Sequence, residues 1–162
     1  MIIKEDTEML LFRYSNFSKH AFLPELENVI KDKGAVWMLK AGKRSSFSRL
    51  EQIKKNGGWL VLRAPKADGS KSYIAKYIDV SEEDPTDGCY PEYYDDIIYG
   101  DDEKYLGITP TFQWFKLTLI KELSEKDAEK LVVAKTGKSV NEVIVTTRTA
   151  VMFIKNSADI KI

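Results

Sequence analysis

Apolar and polar positions fall in an order that predicts a strand-rich domain with a few helices between the strands. Residues 8–14, Glu-Met-Leu-Leu-Phe-Arg-Tyr, are apolar and aromatic enough for a first strand, and a polar turn follows over 15–20. Phe22, Leu26, Val29 and Ile30 then recur at helical spacing across 22–33, with Pro24 in the first turn, where its missing N–H costs nothing. Gly34 is placed to cap that helix. Residues 35–40 form a short, nearly continuous apolar strand. A second helix runs over 47–56 with Ser45 or Ser46 placed to cap it, Ser48 and Glu51 also stand at capping-box spacing, and Asn56-Gly57-Gly58 ends it. Residues 59–63 are a third strand, stopped by Pro65. Asp68-Gly69 supplies the positive φ of a hairpin connection over 66–70. The returning strand alternates Tyr73, Ala75 and Tyr77 against Ile74, Lys76 and Ile78.

Residues 80–110 break the pattern. They are long, irregular and acidic, and carry Tyr90, Tyr93, Tyr94, Tyr99 and Tyr105. Disordered segments are poor in aromatics, so the expectation is an ordered loop whose tyrosine rings pack on a barrel and whose acids face water. Residues 111–121 are the clearest strand, with Phe115, Leu117 and Leu119 on one face and Trp114, Lys116, Thr118 and Ile120 on the other. Ser124 is placed to cap a helix over 125–134, with Asp127 in capping-box position. A turn at 136–138 leads to a short strand at 143–145. The last apolar element, 150–155, reads as a strand, with a helix the open alternative.

A length of 162 residues favours one domain, 1–162, able to bury roughly 70% of its unfolded surface. Hydrophobic and charged fractions of 43% and 31% are ordinary for a globular chain. No apolar run approaches membrane-helix length, and Arg13 interrupts Met9–Phe12 before it can serve as a signal-peptide core. One cysteine, Cys89, offers no internal disulfide, so a cytoplasmic setting is expected and the Asn16-Phe17-Ser18 sequon reads as chance.

Charge adds a feature the apolar pattern hides. Formal net charge is zero, yet residues 40–76 hold ten Lys/Arg against Glu51 and Asp68, while 79–103 hold eleven acids and no Lys or Arg. Either the basic stretch presents a face attractive to anions, or the acidic loop folds back and neutralises it.

Enzymatic motifs fail on spacing. A phosphate loop ending at Gly42-Lys43 needs glycine where Trp37 stands, and one ending at Gly137-Lys138-Ser139 needs it at Val132. One His and one Cys cannot build a zinc site, and Cys89 with His20 has no supporting spacing as a nucleophile pair. Asp84-Pro-Thr-Asp87-Gly lacks calcium-loop spacing. No catalytic residue, metal or cofactor is assigned. The positive signal is cations interleaved with aromatics. Trp37, Lys40, Lys43, Arg44 and Ser45 run together from a strand into a helix start, where free amides and the dipole favour an anion. Aromatic rings beside such a site can stack a base, and Trp59, Trp114 and the Tyr90/Tyr93/Tyr94 group are candidates. Each tryptophan, lying on an apolar strand, has an equally plain reading as core.

The order of strand, helix, Trp-bearing strand, short helix, strand pair, acidic-aromatic loop and the Trp-bearing strand around Gln113-Trp114-Phe115-Lys116-Leu117 resembles the EVE and YTH branch of the PUA-like group. The closing Thr146-Thr147-Arg148-Thr149 with Val151–Ile154 looks like the last segment of such domains, which brings Arg148 into the candidate site. Gly57-Gly58 stands where that group has a Gly-Asp turn. The resemblance implies an α+β fold, a small mixed or antiparallel pseudo-barrel with about three flanking helices, that binds RNA or modified-base DNA without catalysis. Binding residues would be Trp37, Lys40, Lys43, Arg44, Ser45, Tyr94, Trp114 and Arg148. Two rival readings stand beside it: an interaction or homodimerisation domain using the acidic tyrosine-rich loop, and a small-molecule enzyme resting on the basic patch alone.

Overall fold

The computed structural model describes residues 1–17, 19–100 and 111–162. Ser18 of the sequon and the 101–110 part of the acidic loop lie outside the described residues.

The chain is a mixed α+β fold. Strands β2 (Glu8–Arg13), β3 (Val36–Ala41), β4 (Trp59–Arg63), β5 (Ser72–Ser81), β6 (Phe112–Glu122), β7 (Leu131–Val133) and β8 (Val151–Asn156) form one seven-stranded sheet in the order β3-β6-β5-β4-β2-β8-β7. Only the β2–β4 pair is parallel; α1 (Phe22–Lys33), β3 and α2 (Phe47–Lys55) make the crossover between them. A two-stranded sheet joins β1 (Ile2–Ile3) to β9 (Ile160–Lys161). The seven-stranded sheet is open, since β3 and β7 at its ends are not paired with each other. Where about three helices were expected, the described residues hold five: α1, α2, α3 (Tyr94–Tyr99), α4 (Glu125–Ala128) and α5 (Val140–Ile144). None of them is long and apolar enough to cross a membrane.

Period-two patterning puts a core on each face of the sheet. On one face Leu10, Phe12 and Tyr14 meet Leu60, Leu62, Ala75 and Phe115, closed over by Phe22, Leu23 and Leu26 of α1 and by Leu50 and Ile53 of α2. Ala21, the N-cap of α1, makes no side-chain cap bond; Asn16 Oδ1, from the preceding turn, accepts from the Phe22 N–H at 2.9 Å, and Gly34 ends the helix at φ 82°. Ser46, rather than Ser45, caps α2 by accepting from Arg49 N–H. Gly58 has φ 69°, and a Cβ there would stand 2.2 Å from Tyr77 O, so the Gly57-Gly58 turn is required by close approach to β5. On the other face Met9, Leu11, Trp59, Val61 and Ile74 pack against Val140 and Ile144 of α5.

Register shifts bend the β5–β6 pair. Lys76 opposes Leu119, but Tyr77 opposes Leu117, and Asp79 opposes Lys116, so Thr118 and Ile78 are each left out of the ladder. An extra residue exchanges the faces beyond it. This overturns the alternation expected for β6: Ile120, not Leu119, continues the Phe115–Leu117 face, and Leu119 packs with the second core.

Two further expectations are corrected. The helix expected over 125–134 stops at Ala128, although Ser124 caps it as anticipated, accepting from Asp127 N–H at 3.1 Å. Leu131–Val133 instead pair with β8, a tertiary contact that overrides local helix preference in a β-branched run. The strand expected at 143–145 is replaced by α5, whose Val140 and Ile144 lie one helical turn apart and are both buried.

Candidate functional site

The β3–β6 ladder has two faces with different fates. On its outer face Trp37, Leu39 and Trp114 are covered by Tyr93, Tyr94 and Ile97, so the acidic segment folds onto this end of the sheet. Tyr94 meets Trp114 edge-on at 5.8 Å and accepts from Leu39 N–H through its hydroxyl at 3.4 Å. Burial pushes the Tyr93 and Tyr94 hydroxyls well above their ordinary range. Trp37 donates from its indole to Asp87 Oδ2 at 3.2 Å, and its N–H bonds Cys89 O at 2.7 Å. Partial burial would raise the Asp87 carboxyl, but the Cys89 N–H, the Trp37 indole and the Lys116 ammonium together hold it below its usual value. Glu92, Asp95 and Asp96 face water, as expected for the acids of this loop. His20 stacks on Tyr93 at 4.2 Å and contacts Glu25.

The cations gather elsewhere, where β3 ends and residues 41–46 turn into α2. Lys40 is fully buried; its ammonium donates to Lys43 O at 2.8 Å and reaches Gln113 Oε1 at 3.4 Å. Loss of hydration lowers its pKa to about 8. Gln113, also fully buried, accepts from Ser45 N–H at 2.9 Å and donates to Ser45 O at 3.0 Å. Arg44 donates to Phe112 O at 2.8 Å and pairs with Glu82 at 3.5 Å. The loop is therefore fixed to β6 and to the exit of β5. Lys43 alone among its cations points outward, with no side-chain partner among the described residues.

This loop and residues 149–153 form the walls of a cleft of about 510 Å³. Its apolar side is Ala150, Val151, Met152 and Phe153, and among the described residues no Asp or Glu lines it. Arg49 lies over the Phe153 ring at 3.8 Å and is held by Glu8. Arg148, exposed and with no ion pair among the described residues, precedes that wall.

Of the residues singled out from sequence, Lys40, Lys43, Arg44 and Ser45 thus come together, with Arg148 just before the opposite wall. Trp37 and Trp114 come together too, but on the outer face of β3–β6, covered by Tyr94 and Ile97 of α3. The question left open by the charge pattern has a divided answer. The described part of the acidic segment neutralises Arg44 through Glu82 and Lys116 through Asp87, and puts no carboxylate in the lining of the Lys43 cleft. Gln113 was missed as a functional residue, although an amide inside Phe-Gln-Trp-Phe is a signal of a buried polar contact. Among the described residues no three His, Cys, Asp or Glu side chains gather to hold a metal ion.

No family model matches the sequence, and no curated protein or solved structure matches it significantly.

Proposed function

We propose that this chain is a non-catalytic nucleic-acid-binding module, for RNA or modified-base DNA, built as a PUA-like pseudo-barrel of the EVE/YTH kind. The observation that carries the reading is the cleft between 41–46 and 149–153, which offers a cation-bearing wall, an apolar floor and, among the described residues, no acid. Strand binding needs those two surfaces: cations that displace counterions along the phosphates, and apolar faces against which bases rest. Lys43 and Arg148 meet the phosphates. Lys40, Ser45 and Gln113 hold the loop in shape, and Arg44 ties it to β5. Bases rest on the Val151–Phe153 side, because Trp37 and Trp114 are engaged under Tyr94 and Ile97 of α3. In support of the pseudo-barrel, Val36 and Met38 of edge strand β3 share a core with Leu10 and Phe12 of β2, with three strands between them in sheet order.

The test is fluorescence anisotropy of a labelled single-stranded 12-mer across a salt series. Each phosphate contact contributes a log–log salt slope of about −0.7 for single strands, so two to four contacts give roughly −1.4 to −2.8. Undetectable binding at low salt would rule the reading out.

A further inference from the structure

A second cationic site lies at the ends of the parallel strand pair. Arg13 on β2 is the direct register partner of Arg63 on β4, and both leave the sheet on the face that carries Leu11 and Val61. Neighbouring strands run about 5 Å apart, so the two side chains start close together at the end of an apolar layer and border one cavity. Like charges so placed repel, and a protein-internal arrangement would put a carboxylate between them. None is there: neither arginine forms an ion pair among the described residues. The nearby acids are otherwise engaged or line a neighbouring cleft. Asp68 takes a hydrogen bond from Asn16, and Glu122 is paired with Lys71 at 3.0 Å; Glu122, Glu125 and Glu129 line a neighbouring cleft that Arg63 also borders, through the side of its fork that bonds Ser72 and Asn141. Burial, and after it the Arg13 charge, hold the Arg63 guanidinium below its ordinary pKa.

The protein uses only part of their donor capacity. Arg13 Nη1 donates to Thr147 O at 2.7 Å, and Arg63 Nη1 donates to Ser72 Oγ at 3.1 Å, with Asn141 Oδ1 at 3.5 Å. These bonds fix the forks and leave the Nε and Nη2 groups of both without a protein acceptor among the described residues, although each guanidinium carries five N–H donors. The two arginines border a cavity of about 430 Å³ whose lining also includes Lys66, Ser70 and Thr147 and, among the described residues, no acid.

We propose that Arg13 and Arg63 form an oxyanion site for the phosphate group of a phosphomonoester or phosphodiester. Two forks and the Lys66 ammonium at the rim present more donors and more positive charge than one carboxylate can satisfy, whereas phosphate oxygens match the bidentate geometry of each fork. The site adjoins the cleft described above: Arg13 also borders a smaller cavity with Ala41 and Ala150, and those two residues line the Lys43 cleft as well. In naming a strand's phosphodiester as one source, the inference rests on the nucleic-acid reading; as an anion site it stands without it.

Titration of inorganic phosphate into the ¹⁵N-labelled full chain tests this through the arginine Nε–Hε resonances. Saturable shifts of Arg13 and Arg63, absent with chloride at equal ionic strength, are expected. Exposed Lys66→Gln should keep the fold and weaken phosphate binding about fivefold, the loss of one charge contact near the surface. Resonances that stay still, or that follow chloride equally, overturn the site. A 5′-hydroxyl trinucleotide that displaces phosphate identifies the diester as the source, and displacement only by the 5′-phosphorylated form identifies the monoester; either supports the site. Phosphate binding with no displacement by either strand keeps the anion site and counts against the nucleic-acid reading.

Discussion

Gln113 holds Ser45 by both of its backbone polar groups, accepting from the N–H at 2.9 Å and donating to the C=O at 3.0 Å. A side chain on β6 thereby imitates a neighbouring strand and sets the loop that carries Lys43. The loop contains Gly42 at φ 98°, so local preference alone gives it little definition, and the clamp supplies what the backbone lacks.

Gln113→Leu removes the clamp and strands buried polar groups. Each such group costs about 1–3 kcal/mol, so urea unfolding should show a loss of about 2–4 kcal/mol. Oligonucleotide affinity, measured where the variant is still folded, should fall with it. A variant as stable as the parent would show that solvent replaces the clamp freely.

Lys40 makes stability depend on alkaline pH. Its folded pKa is about 8, against an ordinary 10.5. Below pH 8 both states carry the proton, and the folded state bears the cost of a buried charge. Between about 8 and 10.5 the unfolded chain binds more protons, so stability rises with pH across that window. The full span is on the order of 3 kcal/mol. Lys40→Met should lack the rise, and the difference between the two proteins, followed by chemical denaturation from pH 7 to 10.5, reports it. Parallel curves would refute the assignment.

Asp87 works in the acid direction. Its carboxyl is held below the ordinary value of 3.8 by the hydrogen bonds that outweigh its partial burial. A depressed carboxylate stabilises the fold above its unfolded pKa, and the contribution is lost as pH falls through the folded value. Asp87→Asn should therefore flatten part of the acid limb below about pH 4. Tryptophan emission should also move, because the Trp37 indole loses its charged acceptor.

The tyrosine-bearing segment should behave as part of the core. Trp37, Trp59 and Trp114 are all at most 8% exposed, so acrylamide should quench emission weakly. Ile97→Ala opens a cavity between α3 and the Trp37/Trp114 pair and should cost about 2–5 kcal/mol, with quenching increased. Strong quenching of the parent protein would mean that α3 does not cover these rings in solution.

Much of the fold was legible because single elements carried complete signals. Phe22–Lys33 had its apolar spacing and its capping glycine, and Trp59–Arg63 had turn residues on both sides. What failed depended on partners distant in sequence. Nothing local says that Thr118 and Ile78 drop out of register, so the faces of β6 beyond Leu117 were assigned backwards. Leu131–Val133 looked helical until β8 was there to pair with it. At the site, the sequence brought Lys40, Lys43, Arg44 and Ser45 together because they are neighbours in the chain. Period-two alternation puts Trp37 and Lys40, three residues apart, on opposite faces of β3, but nothing in the sequence says that the acidic segment covers the Trp37 face. Arg13 and Arg63 end similar apolar strands, but only the parallel pairing of β2 with β4 sets them side by side.

The most direct measurement is the affinity of the full chain for a single-stranded oligonucleotide with the free cations of the cleft reversed. Lys43→Glu/Arg148→Glu leaves Arg44 and its bonds to Phe112 and Glu82 in place, and Lys126→Glu/Lys161→Glu makes the same charge change at exposed positions away from the cleft. The account predicts at least about tenfold weaker binding for the first pair and a change within about threefold for the second, the remainder being long-range electrostatics. Equal losses in the two variants, or no loss in either, would contradict it.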